Sequence, residues 1–158
     1  MTDCDEKTWP SLNVAYEFVL PSYQLLASRF EAAENRIASL VTMASSLELA
    51  GPVLARAIRQ DISFRSWWFI GSLVAFGVIT VLGLLARVKG VLILPNPAII
   101  RETALGKAEW RFKADALYLA GQHFDKNADV INAKGNWSIA LTVIIVAEVS
   151  CLIAWIAA

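Results

Sequence analysis

The stretch WWFIGSLVAFGVITVLGLLA, Trp67 to Ala86, contains no charged residue. A helix of that length, at about 1.5 Å of rise per residue, covers the ~30 Å hydrocarbon core of a bilayer. Arg65 stands before it, and Arg87 and Lys89 follow it. Trp67 and Trp68 are amphipathic rings of the kind that settle at headgroup level. A transmembrane helix over residues 66–87 follows, anchored at the interfaces by Trp67, Trp68, Arg87 and Lys89. A second stretch, WSIALTVIIVAEVSCLIAWIAA from Trp137 to Ala158, has Trp near both ends and Glu148 as its one charge. It predicts a C-terminal transmembrane helix over 136–158, with Trp137 as a further anchor.

Composition agrees with lipid as the solvent, since 57% of the 158 residues are hydrophobic. The 14 Lys plus Arg balance 14 Asp plus Glu, so net charge points neither to a nucleic-acid surface nor to an acidic tail. Cys4 and Cys151 are too few and too far apart for a disulfide framework. With His123 as the one histidine, neither a metal site nor a Cys-His or Ser-His relay is expected. No cofactor is expected either. The acidic start MTDCDEKTW lacks the basic region of a signal peptide, so insertion is expected to use the spans themselves.

Residues 37–55, IASLVTMASSLELAGPVLA, are apolar but include Glu48 and a Gly51-Pro52 break. Upstream, Tyr23, Leu26, Phe30, Ala33, Ile37, Leu40, Ala44 and Leu47 recur three and four apart, which is one face of a helix running from about Ser22 through Leu49. Its first half is amphipathic, within an N-terminal cytoplasmic segment of residues 1–36, and its second half is a third span over 37–55. Between the later spans, after a loop punctuated by Pro95 and Pro97, residues 96–135 read as another helix. Trp110, Leu117, Phe124 and Ile131 recur every seven residues there, with Ala114, Gly121, Ala128 and Gly135 recurring between them. This seam of bulky and small residues is expected to pack along the first helix as a stalk. The fold class expected is an all-α integral membrane protein with three transmembrane helices, its long helices extending into a cytoplasmic helical stalk.

Eight basic residues between the later spans (Arg87, Lys89, Arg101, Lys107, Arg111, Lys113, Lys126 and Lys134) face three in the opposite loop (Arg56, Arg59 and Arg65). The positive-inside rule places residues 87–135 in the cytoplasm of a cell whose inner membrane the chain crosses. A Glu at membrane depth costs about 2.5 to 3.5 kcal/mol on insertion scales, so Glu48 and Glu148 should face a protein interior or a wet cavity and are the candidate pore residues. Structural glue between helices is the competing reading for Glu48. Gly71, Gly77 and Gly83 lie inside a span, where they suit close helix packing rather than phosphate binding. Asp115, Asp125 and Asp129 alternate with Lys113 and Lys126 as a solvated charged face. No arrangement points to catalysis.

The plan of an acidic start, an amphipathic helix feeding ENRIASLVTMASSLELAGPVLA, a Trp-flanked span, and FDKNADVINAKGNWSIAL running into a last span resembles small bacterial membrane proteins of the SLATT and Pycsar-transmembrane-effector families. The resemblance implies a defence effector that permeabilises the bilayer on activation. No nucleotide sensor is recognisable in the chain, so a trigger would come from a partner or from the stalk. The function expected is a self-associating protein that forms or gates a pore, its partners being the lipid bilayer and copies of itself. The alternative is a non-conducting anchor that holds a soluble partner at the stalk. A holin-like lysis protein fits the size but not the long helices.

Overall fold

The structure, a computed structural model, describes residues 11–59, 63–93 and 106–158, with Leu20 described in its backbone alone. The acidic start, Cys4, Pro95, Pro97, Arg101 and the expected helix start near Asn96 lie outside those residues. Three helices make up the described chain: α1, Leu12–Ile58; α2, Trp67–Val88; and α3, Glu109–Ala157. Each is long and apolar enough to cross a membrane, and no strand occurs among the described residues.

Local chemistry sets the ends of α2. Ser66 is extended at the N-cap and its hydroxyl accepts a bond from the Trp68 N–H at 3.4 Å, satisfying one orphan donor of the first turn. At the other end the Lys89 N–H donates to the Leu85 carbonyl, and Gly90 follows at φ 84°, a left-handed conformation that stops the helix at low steric cost. Gly106–Ala108 are not helical, so α3 begins at Glu109.

α1 starts ahead of the expected Ser22, running through Pro21, and continues unbroken through the expected Gly51-Pro52 break. A proline inside a helix removes one N–H donor and costs about 3 kcal/mol. At Pro52 the deprived acceptor is the Glu48 carbonyl. Packing holds the helix together there: Glu48, Gly51 and Ala55 are all buried, and a Cβ on Gly51 would lie only 3.2 Å from Leu152.

The chain divides into two compact units. In the unit of residues 31–90 and 132–158, α1 and α3 run parallel with a constant offset, Glu34 level with Lys134 and Gly51 beside Leu152, while α2 runs antiparallel between Ser72 near Glu48 and Gly83 near Val41. Ile37, Ala44, Ile79, Ala86, Leu141 and Ile145 form its main core, and Ala55, Leu152 and Trp155 a smaller one. Large apolar side chains also cover the outside, among them Leu49, Val74, Val81, Leu84, Val143 and Ile153. Hydroxyls within the apolar stretches close on their own helices, Thr42 on Ala38, Ser46 on Thr42, Thr80 on Phe76 and Ser150 on Val146. Such back-bonding satisfies a polar side chain with no help from solvent.

The unit of residues 1–30 and 91–131 pairs α1 with α3 through Leu26, Ala120 and a hydrogen bond donated by the Tyr23 hydroxyl to the Ala120 carbonyl at 3.0 Å. Burial pushes the Tyr23 phenol above its ordinary value. Lys113 donates to Asn13 at 2.8 Å and to Glu109 at 2.5 Å, and that lysine holds the Glu109 carboxyl below the ordinary carboxylate range. Asn127 grips the chain after α2, accepting from the Ile93 N–H at 2.9 Å and donating to the Ile93 carbonyl at 3.1 Å.

Candidate functional site

Three levels of side chains in the three-helix unit carry its polar and aromatic chemistry. The first joins all three helices at the α2 C-terminus. Lys134 is 1% exposed, its ammonium bound to Glu34 and donating to the Ala86 carbonyl at 2.9 Å, while Arg87 lies 3.6 Å from the other Glu34 oxygen. A cation at the α2 C-terminus meets the unpaired carbonyls of the last turn, which is where positive charge is favoured.

Fourteen residues along each helix, about 21 Å at 1.5 Å per residue, comes the second level. Glu48 from α1, Ser72 from α2 and Glu148 from α3 point into the bundle. Glu148 is 0% exposed and Glu48 8%, and the two carboxylates are within electrostatic range of each other. The Ser72 hydroxyl lies 3.4 Å from Glu48 and 2.9 Å from the Phe69 carbonyl. It has one proton for two acceptors. Among the described residues, both oxygens of Glu148 and the second oxygen of Glu48 have no hydrogen-bond partner.

Seven residues further, about 10 Å, comes the third level. The Trp155 indole N–H donates to the Ser63 carbonyl at 3.0 Å. Phe69 and Phe64 stack around Trp155 with ring centroids at 4.6 and 5.5 Å, and the Arg56 guanidinium lies 5.5 Å over the Phe64 ring. The first and third levels are thus about 31 Å apart, close to the thickness of a hydrocarbon core.

The residues singled out from sequence fall unevenly on this frame. Glu48 and Glu148 are brought together. Trp67 and Trp68 are exposed at the start of α2, at 85% and 51%, and Arg87 and Lys89 mark its other end, whereas Trp137 packs against the main core. In the expected seam of α3, Trp110, Ala114, Leu117, Ala128, Ile131 and Gly135 are half-buried, but Gly121 and Phe124 are exposed. The fully buried stripe runs one residue ahead, through Ala120, Asn127 and Lys134. The displacement has a physical cause: Asn127 and Lys134 are turned inward by backbone groups of Ile93 and Ala86 that need partners, a demand invisible to a count of apolar residues.

Ser72, Lys134 and Trp155 were missed. Lys134, Leu141, Glu148 and Trp155 are buried at a strict seven-residue step on α3, so a period drawn through polar as well as apolar positions would have found two of them. Among the described residues no group of three or more His, Cys, Asp or Glu is placed to hold a metal ion. Comparison with protein-family models, with curated proteins and with solved structures finds no match to this chain.

Proposed function

We propose that the chain is a three-span membrane protein that admits cations to the bilayer through its Glu48–Glu148 level, opening when copies of the chain associate or a signal reaches residues 87–135 on the cytoplasmic side. The observation that carries the reading is Glu148: fully buried, without a hydrogen-bond partner among the described residues, and the one charge in an apolar run of more than 20 residues. A carboxylate that costs so much at this depth and binds nothing among the described residues is poor glue between helices, and its natural partner is a mobile cation. Apolar side chains covering the outside of the same unit support insertion into lipid.

Both glutamates face the interior of one bundle, so the path invoked runs between α1, α2 and α3 of a protomer and not between neighbours. Association of copies through the lipid-facing aliphatic surface would act by prising those helices apart. The resemblance to SLATT and Pycsar effector proteins gives this reading a biological setting, leakage on demand in a defence response. Purified protein reconstituted into dye-loaded vesicles tests it: cation leakage is expected from wild type and not from Glu148→Gln. Vesicles that stay tight with wild type under every activating condition, including crowding of the protein, refute it.

A second reading, a non-conducting anchor for a soluble partner, draws on Val14, Phe18 and Leu25, exposed apolar residues on the N-terminal part of α1. Isolation in mild detergent separates the two. A stoichiometric second polypeptide favours the anchor, and a lone homo-oligomer favours the conducting protein.

A further inference from the structure

The second level is rich in acceptors and poor in donors. Two carboxylates contribute four oxygens, and among the described residues the only donor hydrogen-bonded to any of them is the Ser72 hydroxyl, which is shared with the Phe69 carbonyl. Pro52 adds one more acceptor on α1, because it lacks the N–H that the Glu48 carbonyl would otherwise receive. The described ion pairs involve neither Glu48 nor Glu148.

Distant charges among the described residues do not make up the deficit. Along α1 the nearest charged residues to Glu48 are Arg36 and Arg56; along the chain of α2 the nearest to Ser72 are Arg65 and Arg87; along α3 the nearest to Glu148 is Lys134. The closest of these in sequence, Arg65, is seven residues away and lies before the start of α2, and Lys134 is already committed to Glu34 and the Ala86 carbonyl. From α1 the level is faced by Glu48, from α2 by Ser72 and from α3 by Glu148. A buried group of this composition lacks positive charge and little else, and hard oxygen ligands from carboxylate and hydroxyl suit a small hard cation.

We propose that the Glu48–Ser72–Glu148 level is a binding site for a small hard cation, a proton or a metal ion, held between the two carboxylates with the Ser72 hydroxyl as the third oxygen. The site rests on the reading of an ion-handling bundle and deepens it by naming what the bundle holds. Charge balance sets its capacity: two ionised carboxylates are neutralised by two protons, by one divalent ion, or by one proton with one monovalent ion. Occupancy ties α1 to α3, so a cation that binds the folded bundle raises its stability by mass action.

The test uses the full chain in mild detergent at constant ionic strength, with tryptophan fluorescence following thermal unfolding as proton, Na+ and Ca2+ concentrations are varied one at a time. Expected is a wild-type midpoint that rises with at least one of them, by on the order of 5–10 °C at a hundredfold excess over Kd. The rise is lost in Glu48→Gln/Glu148→Gln. A rise with protons alone identifies protons as the occupant, and a rise with a metal ion at fixed pH identifies the metal. A midpoint flat in all three, or a dependence that survives undiminished in the double variant, overturns the site. A readout on wild type alone guards against a double variant that does not fold: labelling of Glu148 by an apolar carbodiimide, located by mass spectrometry, should change with the same cation, and labelling indifferent to all three overturns the site equally. Cation binding in detergent without leakage from vesicles, or leakage that persists in the double variant, refutes conduction through this level alone, whereas a midpoint and labelling indifferent to all three cations refute the site.

Discussion

At Gly83 a side-chain methyl of α1 closes on the backbone of α2, and Gly83→Ala sets two effects of known size against each other. Alanine gains roughly 1 kcal/mol of helix propensity over glycine. Its Cβ, however, would fall well inside 3.0 Å of the Val41 Cγ2 methyl. Val41 is β-branched and has one strongly preferred χ1 rotamer in a helix, so the methyl cannot swing away. Overpacking of this kind costs about 1–3 kcal/mol, which leaves a net loss of up to about 2 kcal/mol. Gly77 is the control: a Cβ there meets nothing within 4 Å, so Gly77→Ala keeps the propensity gain. Val41→Ala removes the obstructing methyl, and Gly83→Ala/Val41→Ala should recover the loss with a coupling of about 1–3 kcal/mol. Midpoints of detergent-induced unfolding, read by circular dichroism for the four variants, supply the cycle. A Gly83→Ala protein stabilised as much as Gly77→Ala would mean that the two helices do not approach at this point.

Lys134→Met leaves Glu34 with Arg87 alone and the Ala86 carbonyl without its donor; because Glu34 keeps 22% of its side chain exposed, the expected cost is about 2–4 kcal/mol rather than the full penalty of a sealed pair, partly regained by adding Glu34→Gln. Tyr23→Phe should cost about 0.5–1.5 kcal/mol. Since the folded phenol titrates above its ordinary value, the Tyr23 contribution is complete below the unfolded pKa and fades as pH climbs through the folded one, which absorbance titration of wild type against the variant checks. Asn127→Leu frees both backbone groups of Ile93 and should speed hydrogen exchange of the Ile93 amide at least tenfold; unchanged exchange would mean that the Asn127 grip is not populated. Pro52→Ala restores the N–H to the Glu48 carbonyl and should stabilise α1 by up to about 3 kcal/mol, with a loss of stability indicating that the proline is needed for packing.

How much of this was legible in sequence depended on what kind of force acted. One run without charge and two interrupted by a single Glu announced the three apolar helices, and the three-four stripe of α1 from Tyr23 to Leu47 contains no exposed position. That stripe is governed by burial of apolar area, which a single chain displays openly. The α3 seam was displaced by one residue because its inward positions are chosen by hydrogen bonds to Ile93 and Ala86, partners that become neighbours only after folding. The Gly51-Pro52 pair suggested a break because local propensity does not include the packing of Gly51 and Ala55 that overrides it. The pairing of Glu48 with Glu148 needed the parallel register of α1 and α3, whereas Ser72 gave no signal in an apolar run.

The separation between the Lys134 level and the Trp155 level works as a ruler. Its ends are an ion cluster that resists entering oil and an aromatic collar with arginines, so a bundle seated in lipid cannot slide without burying one of them. Membranes a few ångströms thicker would have to thin around it, and thinner ones would make it tilt. For such a bundle in lipid, sensitivity to acyl-chain length, strain that grows with mismatch and is felt first where the helices are held least, would follow from the placement of a few residues at either end.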